Sequence, residues 1–204
     1  MLKHTLRSMQ NLPKAIFFDM DGTLTRPMLD FPKIKAEMGI AQRPILEALA
    51  EMSSSERQTA EAVLHRHEEE AAANSTLNPG CKELLNWLDR HRIGVAVITR
   101  NSRRSVHTVC ERHGLKFEVL ITREDGKFKP DPAPLLEACR RLRVATMDVW
   151  MVGDGQYDVE AGLAAGIETV WVSHGRIKPF AAEPQRVVHD LQELTAVLEG
   201  CLNR

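Results

Sequence analysis

The chain lacks both a long hydrophobic run and a strong net charge. No apolar stretch approaches the ~20 residues that a transmembrane helix needs, so we expect no membrane partner. The 204 residues carry 27 lysines and arginines against 28 aspartates and glutamates, a formal net charge of −1. Because this balance provides no excess of basic charge, we expect no nucleic acid partner either. The length suits one globular domain with a modest insertion.

Cysteine is also scarce, and its spacing is not that of a metal site. Cys81, Cys110, Cys139 and Cys201 form no CxxC pair, and each falls in a segment with a helical pattern. We interpret them as buried or half-buried thiols and expect a cytoplasmic protein. The first eighteen residues contain no acidic residue and no signal-peptide apolar run. We interpret them as an ordinary basic tail rather than as an organellar targeting segment.

Short apolar runs alternate with helical patterns along most of the chain. Strands that are buried on both faces of a parallel sheet have continuous apolar sequences of this kind. We therefore predict an α/β fold, a Rossmann-like parallel sheet flanked by helices. Five strands are predicted: Ala15–Phe18, Val95–Ile98, Val119–Ile121, Val149–Val152 and Thr169–Val172.

One stretch interrupts this alternation after the first strand. Residues 26–76 contain helical patterns but no strand-like run. We predict a small all-α cap over 26–76, inserted into a catalytic core made of 1–25 and 77–204. At the return to the core, Asn78 followed by proline is typical of a helix N-cap.

Two aspartates directly follow the first predicted strand. In an open parallel sheet, ligands bind at the carboxyl ends of the strands. Asp19 is therefore placed to act as a nucleophile, and Asp21 as the acid that protonates a leaving oxygen and then activates water. Gly22 allows a tight turn and a close backbone approach to a ligand. The alternative is a pair of aspartates that cap a turn.

The second predicted strand ends at Thr99, before Arg100 and Asn101. A hydroxyl with free backbone N–H groups at a helix N-terminus is typical of a phosphate site. We predict phosphate or substrate binding by Thr99, Arg100 and Asn101. The alternative is that these polar residues only cap the next helix.

A lysine before a proline-started helix is a candidate for a fixed positive charge near the reacting phosphoryl group. Lys129 is this candidate, with roles in catalysis and phosphate binding. The alternative is an ordinary surface lysine. Lys127, two residues earlier, carries the same chemical group.

The fourth predicted strand supplies further carboxylates at the same edge of the sheet. Asp154 follows this strand, and Asp158 lies four residues later. Mg²⁺ prefers hard oxygen ligands, so we predict a magnesium site made by Asp19, Asp21, Asp154 and Asp158, Asp21 contributing its backbone carbonyl. Asp158 is also suited to capping a helix and to orienting metal-bound water or Lys129.

In this order, the motifs resemble those of the haloacid dehalogenase superfamily, from about Ala15 to Leu198. The resemblance implies an aspartate nucleophile, an aspartate acid/base, a threonine and a lysine on the phosphate, and an aspartate on magnesium, namely Asp19, Asp21, Thr99, Lys129 and Asp154. Dehalogenating members lack the second aspartate, so Asp21 favours phosphoryl chemistry. The position of the insertion is similar to that in phosphoglycolate-phosphatase-like members.

The leading hypothesis is Mg²⁺-dependent hydrolysis of a phosphate monoester on a small phosphorylated metabolite. Two alternatives remain open at this stage. One is a phosphosugar mutase of the β-phosphoglucomutase type, and the other is a catalytically inactive binding module on the same fold. The identity of the substrate and the oligomeric state cannot be predicted from the sequence.

Overall fold

Parallel strands form a single sheet in the computed structural model, which describes residues 12–41 and 43–202. The strands are β1 (Ala15–Phe18), β2 (Gly94–Ile98), β3 (Val119–Ile121), β4 (Val149–Gly153), β5 (Glu168–Val172) and β6 (Arg186–Val188). Their order across the sheet is β3-β2-β1-β4-β5-β6. The predicted α/β class with a parallel Rossmann-like sheet is confirmed, and so are the five predicted strands.

The sixth strand has no counterpart among the predictions. β6 consists of three residues whose side chains are half-buried, exposed and buried in turn. It lies at an edge of the sheet and, within the described residues, pairs with β5 alone. An edge strand need not be buried on both faces, so it lacks the continuous apolar run by which the other strands were predicted.

The described residues also form eight helices. They are α1 (Phe31–Glu37), α2 (Ile45–Glu51), α3 (Ser54–Asn74), α4 (Cys81–Arg90), α5 (Arg103–His113), α6 (Ala133–Leu142), α7 (Gln156–Ala165) and α8 (Leu191–Leu202). Together with the sheet they make up two compact units. The first comprises residues 12–26, 76–100 and 116–202, and the second comprises 27–75 and 101–115.

The first unit contains the sheet, and its central strand is β1. All four side chains of β1 are fully buried, because β2 and β4 flank it and helices cover the sheet. One face of the sheet packs on α6 and α7 through a cluster of small and branched apolar side chains. This cluster contains Ala15, Phe17, Ala96, Ile98, Val119, Ile121, Leu135, Ala138, Cys139, Val149, Met151, Ala161 and Ile167.

The second unit is helical and has its own apolar core. Ile34, Ala48, Leu49 and Leu64, from α1, α2 and α3, are buried in that core. α5 packs against α3 in the same unit. The predicted cap therefore corresponds to only part of this unit, because 101–115 lies outside the predicted boundaries of 26–76. The interpretation of this unit as a cap stays a prediction.

The first turn of α4 differs from the prediction. α4 begins at Cys81 and its N-cap is Gly80, in the left-handed conformation. The prediction that Asn78 caps this helix is wrong, because the Asn78 amide donates to backbone carbonyls of another loop.

The cysteines lie in helices, as predicted, and their thiols are free. Burial raises the pKa of Cys81 to about 12 and that of Cys139 to about 11, so neither forms a reactive thiolate at neutral pH.

No helix within 12–41 and 43–202 has the length and apolar character to cross a bilayer. Most of the predicted basic tail, including Lys3 and Arg7, lies outside the described residues.

Two adjacent leucines on α6 provide a matched test of this packing. Leu135 is fully buried in the core cluster, whereas Leu136 is 45% exposed. Leu135→Ala should lower the free energy of unfolding by about 2–5 kcal/mol, because it leaves a cavity in a packed core. Leu136→Ala should change it by about 0.5 kcal/mol or less. Urea denaturation measures both values, and equal losses would contradict the orientation of α6.

Candidate active site

The site begins where two neighbouring strands end. Asp19 follows β1 and Asp154 follows β4, and the two strands pair in register with Phe18 opposite Val152. The Asp19 backbone N–H donates to the Val152 carbonyl at 3.0 Å, so the pairing continues into the loop. Parallel pairing therefore brings both carboxylates to one edge of the sheet, as the sequence predicted.

A third carboxylate joins them from the first turn of α7. Asp19, Asp154 and Asp158 each offer an oxygen atom within 4.8 Å of those of the other two. The second Asp158 oxygen accepts the Gly155 backbone N–H at 3.0 Å, which caps α7. A Cβ on Gly153 would lie 2.2 Å from the Asp158 carboxyl carbon. Asp158 therefore reaches the cluster only because residue 153 has no side chain.

A buried lysine joins two of these carboxylates. The Lys129 side chain is 2% exposed, and its ammonium donates to Asp19 Oδ1 at 2.7 Å and to Asp158 Oδ1 at 2.5 Å. Burial disfavours its charge, but the charges of Asp158 and Asp19 outweigh burial and raise the Lys129 pKa. Lys129 is not a surface lysine, whereas Lys127 is 72% exposed and pairs with Asp131.

Asp154 is largely buried and lies near both the negative charge of Asp19 and the positive charge of Arg176. Burial and then the charge of Asp19 raise its pKa, while Arg176, at 3.0 Å from Asp154 Oδ2, opposes the rise. The Trp171 indole N–H donates to the Asp154 backbone carbonyl at 3.0 Å and holds the loop. Converging carboxylates whose negative charges repel one another form the kind of hard oxygen donor set that Mg²⁺ prefers. The side chains present therefore fit the predicted magnesium ion.

Asp21 lies in the same loop as Asp19 but does not belong to the three-carboxylate cluster. Its Oδ1 accepts a hydrogen bond from the Thr25 hydroxyl at 3.1 Å. The predicted contribution of Asp21 to the metal site was through its backbone carbonyl, and this stays a prediction. Its side chain remains the candidate acid and base.

Asn78 holds the loop after β1, a role that the sequence analysis missed. Its buried amide donates to the carbonyls of Gly22, Thr23 and Thr25 at 3.2, 2.8 and 3.0 Å. His174 Nε2 also lies 2.6 Å from the Gly22 carbonyl. An asparagine before Pro-Gly has the sequence signature of a cap, and no local pattern distinguishes it from one that binds a distant loop.

Of the three predicted residues at the end of β2, Arg100 contacts the Lys129 loop. Thr99 is buried, and its backbone N–H donates to the Ile121 carbonyl at 3.0 Å. The Arg100 guanidinium donates to the Lys129 backbone carbonyl, beside the catalytic candidates. Asn101 belongs to the second compact unit. Ser102, rather than these three residues, caps α5 through its hydroxyl, which accepts the Ser105 N–H at 3.3 Å.

The fold and the site together define a parallel α/β protein with an acidic centre at the carboxyl edge of its sheet. The family model for haloacid dehalogenase-like hydrolases matches residues 29–172. The chain therefore belongs to this family.

Several curated proteins are similar over most of their length. A haloacid dehalogenase-like hydrolase domain-containing protein of Arabidopsis thaliana is 30% identical, over 91% of this chain and 84% of its own. A phosphoglycolate phosphatase of Pseudomonas savastanoi is 29% identical, over 94% of this chain and 81% of its own. An N-acetylmuramic acid 6-phosphate phosphatase of Pseudomonas putida is 31% identical, over 81% and 85%. The predicted resemblance to the phosphoglycolate-phosphatase-like branch is confirmed.

Solved structures show that the fold is shared. A predicted phosphoglycolate phosphatase from Haemophilus somnus superimposes with a TM-score of 0.73 at 22% identity, covering 90% of this chain and 97% of its own. A suggested β-phosphoglucomutase from Thermotoga maritima has a TM-score of 0.68 at 26% identity, covering 91% of this chain and 98% of its own.

Gly22→Ala should disturb the acidic cluster, whereas Gly166→Ala should not. Both glycines have positive φ, 81° and 68°, so each alanine adds backbone strain of about 1–2 kcal/mol. A Cβ at Gly22 would lie 2.5 Å from Asp154 Oδ2, but a Cβ at Gly166 would meet no atom of the described part of the chain within 4 Å. Carboxyl ¹³C NMR should therefore detect a displaced Asp154 signal only in Gly22→Ala. An unchanged signal would contradict the close approach of Gly22 to Asp154.

Proposed function

We propose that this hydrolase cleaves a phosphate monoester on a small phosphorylated metabolite through a phosphorylated Asp19 intermediate, with Mg²⁺ as cofactor. The buried ion pair of Lys129 with Asp19, next to two more carboxylates, is the observation that carries the proposal. A nucleophilic carboxylate repels a phosphate dianion unless positive charge lies nearby. Lys129 supplies one fixed positive charge at this place.

In this proposal, the two oxygens of Asp19 have separate tasks. Oδ1 accepts the Lys129 ammonium, and Oδ2 attacks phosphorus while the bond from phosphorus to the ester oxygen breaks. Asp21 transfers a proton to the departing ester oxygen, so the alcohol leaves neutral. Asp21 then accepts a proton from water as the water oxygen attacks phosphorus, which releases inorganic phosphate and restores Asp19.

Asp19 and Asp154 are the carboxylates that would hold Mg²⁺, with the Asp21 carbonyl. When bound, Mg²⁺ supplies positive charge that offsets repulsion between Asp19 and the phosphate. Asp158 is the third carboxylate of this cluster, and its oxygens also accept hydrogen bonds from the Lys129 ammonium and from the Gly155 N–H. It orients the lysine. The buried Thr99, at the end of β2, is assigned to a phosphate oxygen.

The names of the relatives support the substrate class. Phosphoglycolate and N-acetylmuramic acid 6-phosphate are both small phosphorylated molecules. The similarity to a suggested β-phosphoglucomutase favours the mutase as second candidate. The two activities differ in product, because a mutase yields an isomer of the phosphorylated sugar and a phosphatase yields inorganic phosphate. The free thiols favour a reducing compartment, and we propose the cytoplasm.

Asp19→Asn should lower the hydrolysis rate at least about 1,000-fold, because an amide is a poor nucleophile toward phosphorus. Asp89→Asn, an identical change on the exposed side of α4, should leave the rate within about twofold. Phosphate release is measured over phosphorylated sugars, sugar acids, nucleotides and phosphoglycolate. Equal rates in Asp19→Asn and wild type would exclude Asp19 as the nucleophile. Absence of release by wild type, with an isomer formed instead, would favour the mutase.

Removal of Mg²⁺ with a chelator should abolish hydrolysis, and added Mg²⁺ should restore it. Asp154→Asn should weaken Mg²⁺ binding by at least about 10–100-fold, since it removes a charged oxygen ligand and loss of a residue that only supports a ligand already costs about that much. Asp148→Asn changes an aspartate that pairs with Lys14 and should bind Mg²⁺ as wild type does. Isothermal titration calorimetry measures the affinities. Equal affinity in Asp154→Asn and Asp148→Asn would contradict the assignment of Asp154.

A further inference from the structure

Arg100 contacts the loop that carries Lys129 and also the first turn of α7. Its guanidinium donates a hydrogen bond to the Lys129 backbone carbonyl. Its central carbon lies 4.7 Å from the centre of the Phe128 ring and 4.3 Å from the centre of the Tyr157 ring. The guanidinium thus touches Lys129 itself, the residue before Lys129 and the residue before Asp158.

These contacts suit a rigid group better than a flexible one. A planar guanidinium stacks on aromatic faces and donates in fixed directions, which an ammonium does not. The arginine is itself anchored, because its backbone carbonyl accepts a hydrogen bond from Arg123 Nη1 at 3.4 Å. Arg100 therefore joins the end of β2 to the Lys129 loop and to the start of α7.

We propose that Arg100 is a positioning residue that sets the place of the Lys129 ammonium relative to Asp19 and Asp158. The inference refines the proposed function, on which its catalytic part rests. It differs from the sequence prediction, in which Arg100 binds phosphate or substrate directly. A shift of about 1 Å in a catalytic group costs about 100-fold in rate, so the placement of Lys129 has a measurable consequence.

The first experiment needs no activity and no metal. Lysine side chains are labelled with ¹⁵N, and the Lys129 ammonium signal is assigned by its absence in Lys129→Arg. Wild type should give a distinct signal, because the ammonium is buried and bonded to Asp19 and Asp158. Arg100→Met should shift that signal or broaden it by exchange. The control Arg90→Met removes an exposed arginine from the end of α4 and should leave the signal unchanged.

The second experiment separates positioning from substrate binding. In Arg100→Met, kcat should fall about 10–100-fold while KM changes less than about threefold, because the displaced group acts in the transition state. A rise in KM with unchanged kcat would overturn the proposal in favour of direct substrate binding. An unchanged Lys129 signal would overturn it as well. If wild type hydrolyses no ester, the proposed function fails, and the Lys129 signal still decides the role of Arg100.

A second pair of variants covers the case in which Arg100→Met does not fold. Phe128→Leu and Tyr157→Leu each remove one ring and leave the arginine in place. Both variants should shift the Lys129 signal in the same direction. Each shift should be smaller than the shift in Arg100→Met. A Lys129 signal identical to that of wild type in both variants would show that the stacked rings do not position the lysine.

Discussion

The buried ammonium of Lys129 is the constraint on which the rest of the site depends. A charge without water is costly unless it is paired and hydrogen-bonded, and here Asp19 and Asp158 provide both. The three residues come from the loop after β1, the loop before α6 and the first turn of α7. The two ion pairs of Lys129 therefore form only when these three segments pack against one another. The same ion pair that stabilises the loops also places a positive charge on the proposed nucleophile.

The surrounding backbone leaves space for these charged side chains. The Asp154 carboxylate lies where a side chain of residue 22 would lie, and the Asp158 carboxylate lies where a side chain of residue 153 would lie, so both positions need glycine. The amide of Asn78 binds three carbonyls of the loop after β1, so that loop has fixed partners on its inner side. Neutral hydrogen bonds to the backbone therefore support the loop, while the charged contacts of Lys129 orient Asp19 and Asp158. Such preorganisation lowers the cost of arranging charges during a reaction.

Local sequence patterns predicted the elements that have a simple apolar signature. Buried strands have continuous apolar runs, so β1 to β5 could be predicted, and Asp19 and Asp154 follow from their positions at strand ends. The edge strand β6 could not be predicted, since it is only partly buried. Asn78 was mistaken for a helix cap because its true partners lie more than 50 residues earlier in the chain. A contact across that separation leaves no periodic trace in a single sequence.

By itself, the sequence determined the class of fold, the edge of the sheet that carries the site and the family to which the motifs point. These depend on short apolar runs, on helical periodicity and on the order of short motifs, all of which can be found in the sequence alone. The motif order favoured Lys129 over Lys127, but only the tertiary structure showed that Lys129 is the buried one of the two and that Arg100 contacts the rings of Phe128 and Tyr157. Lys127 and Lys129 are chemically identical, and their difference arises solely from which one faces the carboxylates across the sheet edge.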